Sequence, residues 1–578
     1  MSKHSFTYLI IGAGPAGLQM AYFLQKAGID YLVLEANAQA GSFFQSNPRH
    51  RRLISINKRF NKFPEAEFNM RHDWNSLLTE AEDADPLFRE YSTDLYPHAD
   101  ALCRYLQDFA HRHHLQIQYN TKISRVSGDG AGGFVVTDTT GQIYNGTRLL
   151  MATGVQAPLL PDIEGIELAD GYEDYDTDPA RFENKTVLVI GRGNSAFEVA
   201  NNLTNHAAII QIAIGNRPVD LAWETHSVRN VRAINNTIIE MLHLKSLHGA
   251  VGLNVKTIRK RPEGGYTVTV IEELANWAEP KLLEMNLEYD HVICCAGFRY
   301  VLPDLFDADI RPAVDDHSKY PILDETWQST TPGLYFVGTS MAARDLKAAS
   351  SFIHGFRYNI RSLTRLLLER YHGQTYPRQS HPLRSIDDLR ALSTRLLARL
   401  SVSAGLYQMY SFLCDAILLI DGGCEIFEEV PVDWAKKHLG PGNRLVLMTF
   451  DYGFHQFNEE ANALGFITQQ DEGSSRQCAA FLHPVFYYYE DGQQVFEDNI
   501  GESLFIRYGP FRSISTDEPY EPADDVECRV LMNILNRIVQ LTDTPFSEKD
   551  ALANHIFHPW PADRPLPANR GPMCKLSQ

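Results

Sequence analysis

The chain has 578 residues, 44% of them hydrophobic and 22% charged, with a formal net charge of −19. That length is too great for one core and predicts two or three domains; the acidic balance argues against a nucleic-acid partner, because phosphate binding needs a basic surface. The eight cysteines (Cys103, Cys294, Cys295, Cys414, Cys424, Cys478, Cys528 and Cys574) form no C-x-x-C pair and match no zinc spacing, so neither a disulfide framework nor a metal centre is expected.

The opening MSKHSFTYLIIGAGPAG runs directly into an apolar strand without the sections of a signal peptide, which predicts a soluble, cytoplasmic protein with no membrane attachment. Residues 6–36 predict strand, glycine turn, helix and second strand. Gly12 permits the tight turn, Gly14 lets the backbone approach a pyrophosphate, and Gly17 lets the helix pack closely on the sheet. Pro15 and Ala16 complete the loop and open the helix, whose N-terminus offers free N–H groups to phosphate. Glu35 ends the second strand, 23 residues after Gly12, where a carboxylate can accept hydrogen bonds from an adenosine ribose.

The polar stretch 41–63 carries Arg49, Arg51, Arg52, Lys58, Arg59 and Lys62. They suit attraction of cofactor phosphates or an anionic substrate, or equally a solvated loop paired with nearby acids. His111, His113 and His114 fall at a predicted helix end and read as a surface cluster. RLLMATG (148–154) predicts a buried strand closing at Gly154.

A second unit follows at 185–218. Thr186–Ile190 supply a strand, Gly191 and Gly193 the turn, and Ala196 stands where the third glycine is expected, its methyl still allowing close packing. The following strand ends in GNRP rather than in an acid, so Arg217 is the candidate partner of a 2′-phosphate, favouring NADPH over NADH; its other reading is a solvated loop residue. Two such units in one chain predict electron flow from a nicotinamide to a flavin. HVICCAG (291–297) and GLYFVGT (333–339, with Gly338) predict strands returning to each sheet. Cys294 and Cys295 are adjacent on a strand and point to opposite faces, which fits core residues better than a redox pair. Farther on, 386–400 has amphipathic helical spacing, 409–420 predicts a buried helix, and 558–578 is Pro-rich and extended. The C-terminal region suits a cap over the active site, a substrate-binding element, a homodimer interface or, in a non-enzymatic flavoprotein, a surface that recruits a partner.

The order GAGPAG, ATG, GRGNSAFE, GLYFVGT resembles the two-dinucleotide-binding-domain flavoproteins, and the second loop with Asn194, Ser195, Ala196 and Glu198 is similar to that of the flavin-containing monooxygenases. PRHRRLISINKRF (48–60), EFNMRHDWNSLL (67–78), RAINN (232–236), FIHGFRY (352–358), AGLYQM (404–409) and FLHPVFYYY (481–489) resemble the FAD-dependent oxidoreductase domain-containing protein 2 family. The resemblance implies an α/β fold of two Rossmann-like domains plus a mixed α/β extension: an FAD domain at 1–154 and 326–372, an inserted NADPH domain at 155–325, a family-specific region at 373–557 and a tail at 558–578. It implies FAD and NADPH as cofactors, with O₂ adding to the reduced flavin as a C4a-(hydro)peroxide that oxygenates a small nucleophilic substrate. Gly41, Ser42 and Phe43 resemble the cofactor turn of the flavin-containing monooxygenases, and by that resemblance Asn57, with Ser55 as competitor, is the implied hydrogen-bond partner of the flavin-bound oxygen. His354 is implied either beside the flavin or as a core histidine. Two departures favour a reductase or oxidase instead: Tyr175 stands near the place of the monooxygenase signature histidine, and Thr339 replaces the acid after the closing strand. The ending CKLSQ departs from an animal-type retention signal, in keeping with the cytoplasmic expectation.

Overall fold

Apolar runs that must bury both faces become parallel strands flanked by helices, and the first half of the chain does this twice. In the computed structural model, which describes residues 5–80, 83, 85–216, 219, 230–241, 245–274, 281–452, 482–501, 503, 506–508 and 526–540, strand Ser5–Ile11 lies between Tyr31–Leu34 and Ile143–Met151, parallel to both. Ile117–Gln118 extends one side of this sheet, and the antiparallel strands Phe134–Asp138 and Ile123–Gly128 extend the other. Leu334–Phe336 returns to pair parallel with Ile143–Met151, Phe336 opposite Met151.

A second parallel sheet runs Gly249–Val251, Ile209–Ala213, Thr186–Ile190, His291–Cys294, Asp170–Gly171. Helix Asn194–Leu203 packs Ala196, Phe197, Val199, Ala200 and Leu203 onto its core. Three antiparallel strands, Leu253–Lys260, Tyr266–Leu274 and Lys281–Tyr289, follow it.

The chain divides into two compact units, Met1–Arg59 with Asp73–Ile360 and Phe60–His72 with Arg361–Gln578. From sequence, 60–72 goes with the first domain and the boundary falls at 372. Arg71 gives the physical reason for the difference. Its fully buried guanidinium donates to the carbonyls of Leu400 (2.7 Å), Ser403 (3.0 Å) and Ile506 (3.0 Å) and lies over the rings of Phe68 and Tyr407.

The second unit is a six-stranded antiparallel sheet in the order Arg378–Pro382, Gly423–Pro431, Leu413–Ile420, Arg444–Tyr452, Leu482–Glu490, Gln493–Asn499. One face packs on helices Ile386–Val402 and Val526–Val539, through Leu389, Leu396 and Leu531 among others, and the other on Tyr376, Trp434 and Ala435. The predicted buried helix at 409–420 is in fact strand Leu413–Ile420. Both faces are covered, so Ala416 and Ile417 enter opposite cores and no polar alternation marks the strand. Asp415 within it meets Arg399 of helix Ile386–Val402 at 2.9 Å. Among the described residues no helix is long and apolar enough to cross a membrane, and no His/Cys/Asp/Glu group is arranged to hold a metal.

Candidate active site

The first glycine loop leaves strand Ser5–Ile11 and enters helix Pro15–Lys26, with Pro15 in the first turn and Gly14 as the N-cap residue; no side chain caps this helix. Its first N–H groups are therefore left for an external acceptor. Gly12 has φ +104°, and a methyl on it would meet the Ala152 carbonyl oxygen at 2.7 Å. On Gly17 a methyl would lie 3.1 Å from the Gly12 carbonyl carbon and closer still to its oxygen, so helix and strand touch there. Gly14 and Gly154 face open space. Gly338, after the closing strand, abuts Ala16.

Glu35 is buried beside this loop. Its Oε2 accepts from Ala13 N–H (2.7 Å), and its Oε1 accepts from Asn37 N–H, Asn37 Nδ2 and Ser42 Oγ, each at 3.0 Å. Gly41 N–H donates to the Ala13 carbonyl at 2.9 Å. The predicted residues Gly12–Gly17, Glu35, Gly41 and Ser42 thus form one cradle, while Phe43 turns outward against Phe44.

The second loop repeats the geometry. Gly193 is the N-cap of Asn194–Leu203, again with no capping side chain, and Gly191 approaches the Cys295 carbonyl. Ala196 is fully buried in the core, which accounts for a methyl at the third position. Asn194 turns away from the loop: it donates to the Asn230 carbonyl (2.8 Å) and accepts from Arg232 N–H (2.9 Å) and Asn235 Nδ2 (3.1 Å). Ser195 lines a pocket with Tyr172, Cys294, Cys295, Gly297 and Phe298. Arg217 lies outside the described residues.

Glu198, one turn into the helix, does not face that loop. Its carboxylate accepts from His50 N–H and from Tyr172 O–H, both at 3.0 Å, and burial raises its pKa above the usual range. Arg49 N–H donates to the Tyr172 oxygen (3.1 Å), Arg49 Nη2 donates to the Tyr175 carbonyl (2.8 Å), and the His50 ring meets the Tyr175 hydroxyl. Burial, reinforced by the Arg49 charge, lowers the His50 pKa to about 4, so the ring is neutral near pH 7. Sequence reasoning passed over His50 and Tyr172; an i, i+4 pairing of Asn194 with Glu198 was the available signal, but it does not reveal the partners.

Asn57 and Ser55 are buried, with their donors spent inside the protein. Asn57 Nδ2 donates to the carbonyls of Ser92 (2.8 Å) and Asp94 (3.4 Å), leaving Oδ1 without a partner among the described residues; Ser55 Oγ donates to Asn75 Oδ1 at 2.6 Å. His354 stacks on Trp74 at 4.0 Å between ring centroids, and its buried Nδ1 has no partner among the described residues. Burial, together with the charges of Arg357 and Arg232, holds its pKa well below the ordinary value. Phe352 beside it lies under the Arg232 guanidinium. Cys294 and Cys295 are buried and unbridged, and burial pushes both thiols up, away from thiolate reactivity. Of the basic stretch, Arg51 pairs with Asp100 and Arg52 with Asp94. Two uncapped helix N-termini and the open space over Gly14 fit two dinucleotides.

Residues 9–338 match the family model for pyridine nucleotide-disulphide oxidoreductases. The chain is similar to FAD-dependent oxidoreductase domain-containing protein 2 of Mus musculus, 38% identical over 513 residues covering 83% of this chain and 76% of that protein. The Danio rerio protein of the same name is 35% identical over 536 residues, 84% of this chain and 76% of that protein. A probable indole-3-pyruvate monooxygenase, YUCCA4 of Arabidopsis thaliana, is 26% identical over 57% of this chain and 84% of its own length.

Proposed function

Because the chain belongs to the pyridine nucleotide-disulphide oxidoreductase family and to the FAD-dependent oxidoreductase domain-containing protein 2 family, we propose that it is an NADPH-dependent flavin monooxygenase acting on a small nucleophilic substrate. The observation that carries this reading is the pair of uncapped glycine-turn helix N-termini within one compact unit. In it the loop Gly12, Gly14, Pro15, Ala16 and Gly17 holds the FAD pyrophosphate, with Gly154 and Gly338 flanking. Gly191, Gly193, Ser195 and Ala196 hold the nicotinamide dinucleotide, and Arg217 takes its 2′-phosphate. FAD held there would supply a hydride acceptor for the nicotinamide and a source of electrons for O₂.

The chain's own groups then have definite tasks. Three of the four donors on Glu35 meet Oε1 and only Ala13 N–H meets Oε2, so a ribose hydroxyl takes the open acceptor site of Oε2 or displaces Ser42 Oγ or Asn37 Nδ2 from Oε1. Asn57 and Ser55 spend their donors on Ser92, Asp94 and Asn75 and offer no spare donor to a reacting oxygen. His354, neutral and stacked on Trp74, presents an unpaired Nδ1 as its contribution. The buried thiols of Cys294 and Cys295 weigh against a disulfide-reductase reading, and the monooxygenase named in YUCCA4 supports oxygen use.

A purified, FAD-loaded sample mixed anaerobically with NADPH should bleach its flavin absorbance, at lower concentrations than with NADH. On mixing with labelled O₂ and a panel of amines, sulfides and ketones, peroxide should fall below the NADPH consumed and label should enter a product. Peroxide equal to NADPH with every compound would instead establish the oxidase reading, which the tyrosine at position 175 favours. A protein that retains no FAD would end both.

A further inference from the structure

The segment Gly41–His50 is pinned at both ends, and each end lies at a different glycine loop. At its start Gly41 N–H donates to Ala13, and Ser42 Oγ donates to Glu35, within the first cradle. At its far end the two backbone N–H groups of Arg49 and His50 and both their side chains are held by Tyr172 and Tyr175, in the turn that follows the edge strand Asp170–Gly171, and by Glu198 of helix Asn194–Leu203. Tyr172 is the pivot: its oxygen accepts from Arg49 N–H, its proton goes to Glu198, and its ring lines the pocket beside Ser195.

Glu198 shares a helical face with Asn194, four residues before it. Asn194 ties the helix start to residues 230–235, and Glu198 ties the next turn to His50. The helix that opens the second cradle is thereby fixed against the segment that closes the first. Hydride moves only between reacting atoms held about 3–3.5 Å apart, and an error of about 1 Å costs of the order of a hundredfold in rate. A joint that fixes the two loops relative to one another therefore acts on the transfer step more than on the affinity of either cofactor.

We propose that Glu198, Tyr172 and His50 form a strut that sets the separation of the two nucleotide cradles, so that Glu198 is a positioning residue for hydride transfer and not a nucleotide ligand. The proposal rests on the flavin–nicotinamide reading above. Two variants test it in the FAD-loaded protein, Glu198→Ala and Tyr172→Phe, the second removing only the hydroxyl that joins Arg49 to Glu198. Anaerobic stopped flow should show flavin reduction by NADPH slowed about tenfold or more, while the NADPH dissociation constant stays within about threefold of wild type. Without nicotinamide, amide hydrogen exchange at 44–53 should rise in both, because the N–H groups of Arg49 and His50 lose their acceptors.

Wild-type reduction rates in both variants would overturn the strut, as would lost NADPH affinity with unchanged exchange, which would return Glu198 to the role of ligand. If Glu198→Ala does not fold, Tyr172→Phe decides. If the wild-type flavin is not reduced by NADPH, the functional reading fails by itself. The exchange arm then stands alone: raised exchange supports the strut and unchanged exchange overturns it.

Discussion

Two alanine substitutions six residues or fewer beyond strand Ser5–Ile11 should fail in opposite ways. At Gly14 an added methyl meets no atom within 4 Å, and the backbone is extended at φ −74° and ψ −178°, so the protein without FAD has room for it. Replacing glycine by alanine without strain stabilises by about 0.4–1 kcal/mol through the unfolded chain, so the ligand-free melting temperature of Gly14→Ala should hold or rise. The space the methyl fills is the space assigned to the FAD pyrophosphate, and overpacking of that kind costs about 1–3 kcal/mol. FAD affinity should therefore drop by roughly 5- to 150-fold. At Gly17 the methyl lies 3.1 Å from the Gly12 carbonyl carbon and inside contact with its oxygen. Backbone must move, and Gly17→Ala should lower stability by about 1–3 kcal/mol or more before any FAD is added. Differential scanning fluorimetry of the ligand-free variants and fluorescence titration with FAD separate the two. Unchanged FAD affinity in Gly14→Ala would refute the placement of the pyrophosphate over this loop.

Three further outcomes follow from the buried charges and rings. His50 has its pKa lowered from 6.5 to about 4, so its contribution to stability is complete above pH 6.5 and is lost as pH falls toward 4; the slope approaches about 1.4 kcal/mol per pH unit, and urea unfolding across that range should be visibly flatter in His50→Gln. Arg399→Met leaves Asp415 and Glu429 facing a neutral side chain, Glu429 keeping Arg361 and Asp415 no ion-paired cation among the described residues. The cost should be about 3–5 kcal/mol, greatest above about pH 6, where Asp415, its pKa raised to about 6 by burial, must ionise; equal losses at acid and neutral pH would contradict this. Trp74→Ala opens the buried face of His354, so the depressed pKa of that ring should move up toward its ordinary value in a proton NMR titration.

The sequence alone determined the two strand–glycine–helix units, because a phosphate cradle needs its turn, its close helix packing and its strand-end acid at fixed spacing along a short stretch of chain. Gly12, Gly17, Glu35 and Ala196 all stand where that local rule puts them. The helix at 386–402 was equally legible, since one of its faces meets solvent and the other a core. Strand Leu413–Ile420 was not, because burial on both sides erases the period that tells strand from helix. The tertiary structure alone decided what the polar side chains do. Asn57 and Ser55 spend their donors on partners 20 to 37 residues away, Glu198 reaches back 148 residues to His50, and Arg71 is claimed by carbonyls more than 300 residues on. A hydrogen bond is settled by which groups folding brings within about 3 Å, and no spacing along one strand or helix encodes a partner supplied by a different part of the chain.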